Sequence, residues 1–518
     1  MSRIKVLPVY PEIPDSFWSL KKTIELIGRK ASMPPIGLAT VMAMLDEKYF
    51  ELKPIVDLNV QRISESDIKE SDLVFTSAMS VQRGSLEKII NIAHKFGKKV
   101  VAGGPLPSAF EEEIPADYLV LNEAELTLPP FVEDLLTGNP KRLYNYDTVL
   151  PRMKGKVEID REGRPLLKQT PIPRWDLLNL KNYASLAMQY TRGCPFNCNF
   201  CDIVAQFGRI PRTKTVKQIL SESQAIYDLG WRGPVFVVDD NFIGDKPGLN
   251  KLLPEWARWQ KEKMYPLQLF TEASIDLGFD QQTDIRKLMV EAGFDSVFVG
   301  IESLDPEVLI DMGKRQNLRN LEQSVENIQR SGLEVMGGFI VGSDKDKPNV
   351  FDLTFDFIQR AGIVTPMVGL LNAIRGTILY AQMKSDGRLR MESSGNNTHD
   401  LNLNFDPIMD ERMLIGGYVH LLERLFNSRN YYDRCRVLRD RKGPARSGIG
   451  ISLNYLVGMV KITYENLVKN PDHEFRKYIA ETLIRFPNKF PSAIAEAMRL
   501  HHFRSLTKEM AQEYRKLF

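Results

Sequence analysis

Three of the chain's four cysteines fall within eight residues, in Thr191-Arg192-Gly193-Cys194-Pro195-Phe196-Asn197-Cys198-Asn199-Phe200-Cys201-Asp202. The spacing is C-x3-C-x2-C. Thiolates are soft ligands suited to iron–sulfur clusters. A closed structural zinc site wants four ligands. No fourth Cys or His is near; His94, the closest in sequence, lies a hundred residues upstream. Three ligands on a four-iron cube leave one iron open, which is the mark of a catalytic rather than a structural centre. Gly193 and Pro195 help the chain wrap tightly around such a group. Three unrelated buried cysteines, or zinc with a distant fourth ligand, are the rival readings. Cys435 stands apart within a basic run; it reads as an incidental thiol, with a lowered pKa as the alternative.

A cluster of this kind has to be held at the end of a strand, and the surrounding pattern supplies one. From Ser185 the sequence reads as a βα series, with strands near 186–191, 234–239, 267–272, 296–301, 334–341 and 363–370. Helices fit at 215–229, 247–262, 283–292, 318–330 and 348–360. Six strands with crossovers suit a barrel or partial barrel, whose site lies at the C-terminal ends of its strands. Upstream, residues 1–140 alternate strands (4–9, 51–57, 72–77, 98–102, 117–121) with helices (36–45, 83–96), the pattern of a doubly wound parallel sheet. Ligands bind beyond the strand ends of such sheets. Here those ends are Thr76-Ser77-Ala78-Met79-Ser80, Gly103-Gly104-Pro105 and Asn122-Glu123, where small residues admit a large flat ligand, although ordinary βα-turn chemistry explains them as well. Residues 141–184, rich in Pro, Arg and Lys, read as a linker, and 185–385 as the barrel. Residues 386–518 form a helical C-terminal domain, with helices at 409–430, 450–468, 473–485 and 490–517.

Length and composition agree with three domains in 518 residues. With 43% hydrophobic residues the chain can bury large cores, and four cysteines exclude a disulfide scaffold. A net charge of +3 carries no signature of nucleic-acid binding. No apolar run is long enough to span a bilayer, and no signal-peptide core opens the sequence.

The cysteine spacing after the first strand of a (βα)6 partial barrel resembles the radical SAM superfamily. The resemblance implies a 4Fe–4S cluster on Cys194, Cys198 and Cys201, with S-adenosyl-L-methionine (SAM) on the open iron and reductive cleavage to a deoxyadenosyl radical. Phe200 takes the aromatic position that stacks on adenine. The resemblance places Asp239 and Asp240 near the methionine end of SAM, and Glu272 and Ser274 near its carboxylate. It places Glu302 at the ribose and Gly338, within Gly337-Gly338-Phe339-Ile340-Val341-Gly342, beside the adenine. Each strand end alone is also explained by generic loop chemistry.

The preceding domain resembles the Rossmann-like, flavodoxin-like module of the cobalamin-binding subclass. The matching positions are Thr76, Ser77, Ser80, Gly103, Gly104, Asn122 and Glu123, with Asn122-Glu123-Ala124-Glu125 resembling G-E-A-E. Asn is the best substitute for Gly at positive φ. The D-x-H-x-x-G motif is absent, which implies a cobalt without a histidine ligand; a domain that has lost cobalamin is the alternative. His94, inside a helical segment, reads as structural. Phe17-Trp18-Ser19-Leu20, the segment 30–38, the segment 373–380 and Asn402-Leu403-Asn404-Phe405 resemble the subgroup with a helical C-terminal extension that includes the hopanoid C-2 methylase. Arg375 stands where that subgroup has Pro.

These resemblances imply methylation of an unactivated carbon of a lipid or terpenoid substrate, through a deoxyadenosyl radical and methylcobalamin. A radical cyclase, coupling or rearrangement enzyme without methyl transfer is the alternative, and an iron–sulfur redox sensor is the non-enzymatic one. The implied partners are a lipid-like small molecule and an electron donor such as flavodoxin or ferredoxin, with no nucleic acid. The expected location is a reducing cytoplasm. The basic run Arg434, Arg436, Arg439, Arg441, Lys442 and Arg446 offers an optional peripheral membrane contact, against the plainer reading of a solvated helix end. Met413, Leu414, Leu421, Leu422, Leu425 and Phe426 read as helix core.

Overall fold

A computed structural model of the chain describes residues 3–446 and 452–518. The chain forms two compact units: one of residues through Pro14, Met33–Pro195 and Asp202–Trp231, the other of Asp15–Ser32, Phe196–Cys201 and Arg232–Phe518.

The first unit is built on β1 (Ile4–Tyr10), β2 (Phe50–Leu52), β3 (Val56–Asp57), β4 (Leu73–Ser77), β5 (Lys99–Gly103), β6 (Tyr118–Val120) and β7 (Leu143–Tyr144). The strands are parallel in the order β2-β1-β4-β5-β6-β7, with β3 also paired to β1. Parallel strands buried on both faces need continuous apolar runs, and Val6, Val9, Val74, Val100 and Ala102 are all 0% exposed. The chain leaves β1 for one edge and returns beside it as β4, so the sheet has a switch point where strand ends part and a ligand fits.

Residues 141–184 differ from the expected linker. They hold β7, the helix Tyr146–Met153 and three short 3-10 turns. Tyr144, Val149, Trp175 and Tyr183 are buried, and the Tyr183 hydroxyl donates to Asp57 Oδ2 at 2.8 Å. These anchors are too widely spaced to show as periodicity among the prolines and charges. The expected strand 186–191 is broken into β8 (Leu186–Met188) and β9 (Thr191–Arg192), and β9 pairs antiparallel with β10 (Arg212–Thr213).

The second unit carries β11 (Gly233–Val237), β12 (Leu267–Ala273), β13 (Phe294–Glu302), β14 (Glu334–Val341) and β15 (Thr365–Leu370), parallel and in sequence order. Successive side chains on a strand face opposite ways. Val235, Val237, Leu269, Val297, Val299 and Val335, on the face covered by the intervening helices, are 0% exposed. Phe236, Phe270, Phe298 and Met336, on the inner face, are only half-buried.

The C-terminal region holds the helices Glu411–Leu425, Ser428–Arg441, Leu453–Tyr464, His473–Arg485 and Phe490–Leu517. The expected helix 409–430 is split because the Asn427 side chain accepts from Arg429 N and caps a new helix. Of the expected helix 450–468, residues 450 and 451 lie outside the described residues. Leu414, Leu421, Leu422, Leu425 and Phe426 are core, whereas Met413 is 49% exposed. Part of the basic run turns inward to protein partners. Arg434 is fully buried and donates to Gln359 Oε1 at 2.7 Å, and Arg436 and Arg439 share Glu481 at 2.9 and 2.7 Å. Lys442 donates to the Asp295 carbonyl at 3.1 Å; Arg446 is exposed. Cys435 is buried, and burial pushes its thiol well above the usual range, opposite to the lowered-pKa reading. Among the described residues no helix is long and apolar enough to cross a membrane.

Candidate active site

The cysteine loop is shaped by hydrogen bonds at both ends. Gly193 has φ of 93°, and a side chain there would meet the Ile210 carbonyl at 2.9 Å, so only glycine makes the turn. Cys194 N donates to the Gly208 carbonyl at 3.2 Å, and Arg209 Nη2 donates to the Pro195 carbonyl at 3.1 Å. In the second unit Asn199, between Cys198 and Cys201, is held three ways. Its N donates to the Met312 carbonyl at 3.0 Å, its Nδ2 donates to the Asp311 carbonyl at 2.9 Å, and its carbonyl accepts from Leu379 N at 2.8 Å. Cys201 N donates to the Cys198 carbonyl at 3.2 Å. Phe200 packs on the apolar cluster of Val308, Met312 and Leu371. Burial raises the Cys198 thiol, with Lys314 opposing that rise.

All three thiols are half-buried and free of disulfides. As a soft donor set on one short loop they suit an iron–sulfur cluster in chemistry. Among the described residues no three His, Cys, Asp or Glu side chains stand gathered as a metal-holding group.

In the first unit a cleft of about 1270 Å³, solvent at its mouth included, opens beyond the ends of β4, β5 and β6. Thr76, Ser77, Gly103, Gly104, Asn122 and Glu123 line it, while Ser80 lies off its wall at the start of a 3-10 turn. A side chain at Gly103 would meet the Val120 carbonyl at 2.6 Å. Gly104 has φ of 92°, and a side chain there would meet Ser77 Oγ at 2.6 Å. Asn122 has φ of 62°, the conformation expected of the residue standing for Gly. The Thr76 hydroxyl is buried on the cleft wall without a hydrogen-bond partner among the described residues. A wide cleft, a glycine cradle and a waiting hydroxyl fit a large planar ligand with polar side groups. The helix Ile36–Ala43 forms the facing wall, which the sequence reading did not assign.

Glu123 does not present a free carboxylate to that cleft. It accepts from Arg192 at 2.8 Å, Arg212 at 2.9 Å and the Tyr146 hydroxyl at 2.8 Å. Glu125 accepts from Arg192 at 3.0 Å and Thr170 Oγ1 at 2.6 Å. Burial opposes its ionisation, but Arg192 and Thr170 prevail and hold the carboxyl down to about 2. Arg192 and Arg212, missed from sequence, were signalled by Glu123 and Glu125, two acids at a strand end that cannot be buried without cations.

In the second unit the other expected residues sit at strand ends. Ser274 N and Oγ both reach Asn241 Oδ1, at 3.1 and 3.2 Å, and Ser274 Oγ also bonds Asp276. Asp239 is buried and Asp240 half-buried. Burial, with Asp240 and Glu302 nearby, pushes the Glu272 carboxyl up to about 8. Glu302, at φ of 64°, accepts from Lys314 at 2.6 Å, so the carboxylate expected at a ribose already holds a cation. Gly338 lies under the Phe298 ring, where a side chain would meet Cζ at 2.6 Å.

Three family models match the chain: the B12 binding domain over residues 25–132, the radical SAM superfamily over 188–358, and a domain of unknown function (DUF4070) over 377–516. An uncharacterized methyltransferase of Synechocystis is 40% identical over 83% of this chain and 78% of its own. The hopanoid C-2 methylase of Rhodopseudomonas palustris is 33% identical over 78% and 75%. The chain belongs to the cobalamin-binding radical SAM enzymes. In fold it is similar to the Kitasatospora setae radical SAM methyltransferase solved with cobalamin and a 4Fe–4S cluster, at TM-score 0.59, 15% identity and coverage of 98% and 100%. It is likewise similar to a cobalamin-dependent SAM radical enzyme solved with aqua-cobalamin, at 0.59, 14%, 100% and 81%. The cofactors of this radical SAM enzyme are a 4Fe–4S cluster, SAM and cobalamin, as expected from the sequence.

Proposed function

We propose that this radical SAM enzyme methylates an unactivated carbon of a hydrophobic small molecule. One observation carries the reading: a single chain joins a three-thiol loop to a cleft shaped for a large planar ligand. The named methylase relative supports a lipid or terpenoid substrate. When bound, the cluster with SAM supplies a radical that abstracts hydrogen, and cobalamin supplies the methyl group.

The protein's own residues hold, orient and shield. Cys194, Cys198 and Cys201 would hold the cluster, with Phe200 limiting water at it. Asp239, Asp240, Glu272, Ser274 and Glu302 would orient SAM at the strand ends, where a neutral Glu272 donates rather than repels. Thr76, Ser77 and Asn122 would bond the polar edges of the corrin, and Gly103 and Gly104 would let it approach the backbone. A flavodoxin- or ferredoxin-type donor would supply the electron. None of the cleft's described wall residues is a histidine or cysteine, which supports a cobalt without a protein imidazole or thiolate ligand.

The test is anaerobic turnover with SAM labelled in its methyl group. Label in the product is expected. Deoxyadenosine formed without methyl transfer would overturn the methylase reading in favour of a cyclising or coupling enzyme.

A further inference from the structure

The helix Leu453–Tyr464, continued by the π-helical turn Glu465–Lys469, carries apolar side chains on two opposite faces. One face is packed. Ile462 is buried, and a side chain at Gly458 would meet Ile27 Cγ2 at 2.8 Å and Met498 Cε at 3.0 Å. The helix therefore sits close on the segment Asp15–Ser32 and on the helix Phe490–Leu517. The Tyr455 hydroxyl donates to the Pro491 carbonyl and fixes the rotation of the helix. The opposite face is bare. Leu453 is 76% exposed, Val460 66%, Tyr464 58% and Val468 62%, with Leu456 and Val457 also exposed between them. At about 3.6 residues per turn, positions 453, 456, 457, 460 and 464 fall within an arc of about 100° and run ~16 Å along the helix.

Single exposed apolar residues are ordinary, but a contiguous stripe marks a place of contact. A helix apolar on all sides belongs in a core, against a partner or at a membrane. The anchored inner face prevents this one from rolling its outer stripe inward. Charge identifies the partner. Residues 452–518 hold eleven Lys and Arg against seven Asp and Glu, a net +4 where the whole chain carries +3. The packed segment Asp15–Ser32 adds four bases against two acids. Lys461 and Lys469, both exposed, lie along the stripe, and Lys22, Lys469 and Arg504 stand with Glu465 around His501. Two copies of so positive a region repel each other. A stripe ~16 Å long on a helix ~10 Å wide also covers far less than the roughly 800 Å² per partner that a stable protein interface buries. An anionic bilayer attracts the bases and takes up apolar side chains one by one.

We propose that the exposed stripe of residues 453–468 is a docking face for an anionic lipid bilayer. The helix lies in the plane of the interface, with its Leu and Val side chains entering the boundary between headgroups and acyl chains. Tyr464 suits that boundary, because its ring is apolar and its hydroxyl stays wet. Lys461 and Lys469 extend their stems to reach lipid phosphates. The contact falls on a different element from the basic run at 434–446. It goes beyond the methylase reading and stands without it.

The test is co-sedimentation of the reconstituted full-length protein with vesicles, either of phosphatidylcholine alone or of phosphatidylcholine mixed with phosphatidylglycerol. Binding to the anionic vesicles is expected, weakened by added salt and weaker on the neutral ones. Val460→Asp should lower partitioning roughly tenfold or more, by removing one buried valine and adding a negative charge. Lys461→Glu should lower it several-fold. Iron content and melting temperature should stay unchanged, because both positions face water; Leu453→Asp serves if Val460→Asp loses its fold. No binding to anionic vesicles, or binding unchanged in both aspartate variants, overturns the docking face. A dimer in analytical ultracentrifugation that Val460→Asp converts to monomer also overturns it, by giving the stripe to a second copy. The two readings fail separately. Vesicle binding without methyl transfer from labelled SAM sinks the methylase and leaves the docking face. Methyl transfer without vesicle binding does the reverse.

Discussion

At the scale of single residues, the proposed chemistry rests on three thiols and a glycine cradle. Cys194→Ala, Cys198→Ala or Cys201→Ala should each abolish the cluster, whereas Cys435→Ala should leave the iron content unchanged; iron analysis after anaerobic reconstitution decides this. The fourth thiol is spare because it is buried in a helix of the C-terminal region and held protonated by that burial. Gly104→Val should lower cobalt content by roughly tenfold or more, because a β-branched residue at φ of 92° is strained and its Cβ lands on Ser77 Oγ. Cobalt retained after gel filtration at the normal level would show that the cleft holds something else.

At the scale of elements, the β9–β10 hairpin carries a burden not visible in its four residues. It delivers Arg192 and Arg212 to the two acids after β6. Removing one partner of a buried ion pair leaves an uncompensated charge, so Arg192→Ala should cost about 3–5 kcal/mol of stability. Denaturant unfolding of the variant measures this, and a loss below about 1 kcal/mol would mean the acids are satisfied otherwise. Much of the element pattern was legible in the sequence, because strands such as β12 and β14 alternate or run apolar over seven or eight residues. The hairpin, the ordered segment 141–184 and the break at Asn427 were not legible. They rest on side chains that cap or pair with remote partners, which leave no local period.

At the scale of the whole molecule, buried carboxyls make stability depend on pH. Burial raises Glu496 to about 7, despite Arg499 and Tyr478, and Glu272 to about 8. Both are neutral in the folded state at a pH where the unfolded chain has already ionised them. Their stabilisation is full below the ordinary carboxyl range and is lost as pH rises through 7 to 8. Burial lowers His502 to about 4, so it works in the opposite direction, but only as pH falls below the usual histidine range. The melting temperature of the cofactor-free protein should therefore fall on passing from pH 6.5 to 8.5, and Glu272→Gln should flatten that fall. Differential scanning calorimetry at fixed ionic strength tests it; a flat profile in both proteins would mean the two carboxyls are ionised throughout.

Sequence alone determined the thiol spacing and the two βα series with their strand ends. Those features are local: ligand spacing and strand periodicity are written over a few residues. Tertiary structure alone decided which charges are spent on each other. Glu123 is consumed by arginines 69 and 89 residues away, and Glu302 by a lysine 12 residues on. Arg434 and Arg439 of the basic run turned inward, and Trp18 came to rest against Phe298. The physical reason is that burying a charge or an aromatic face is decided by its partners in space, and spacing along the chain does not reveal them.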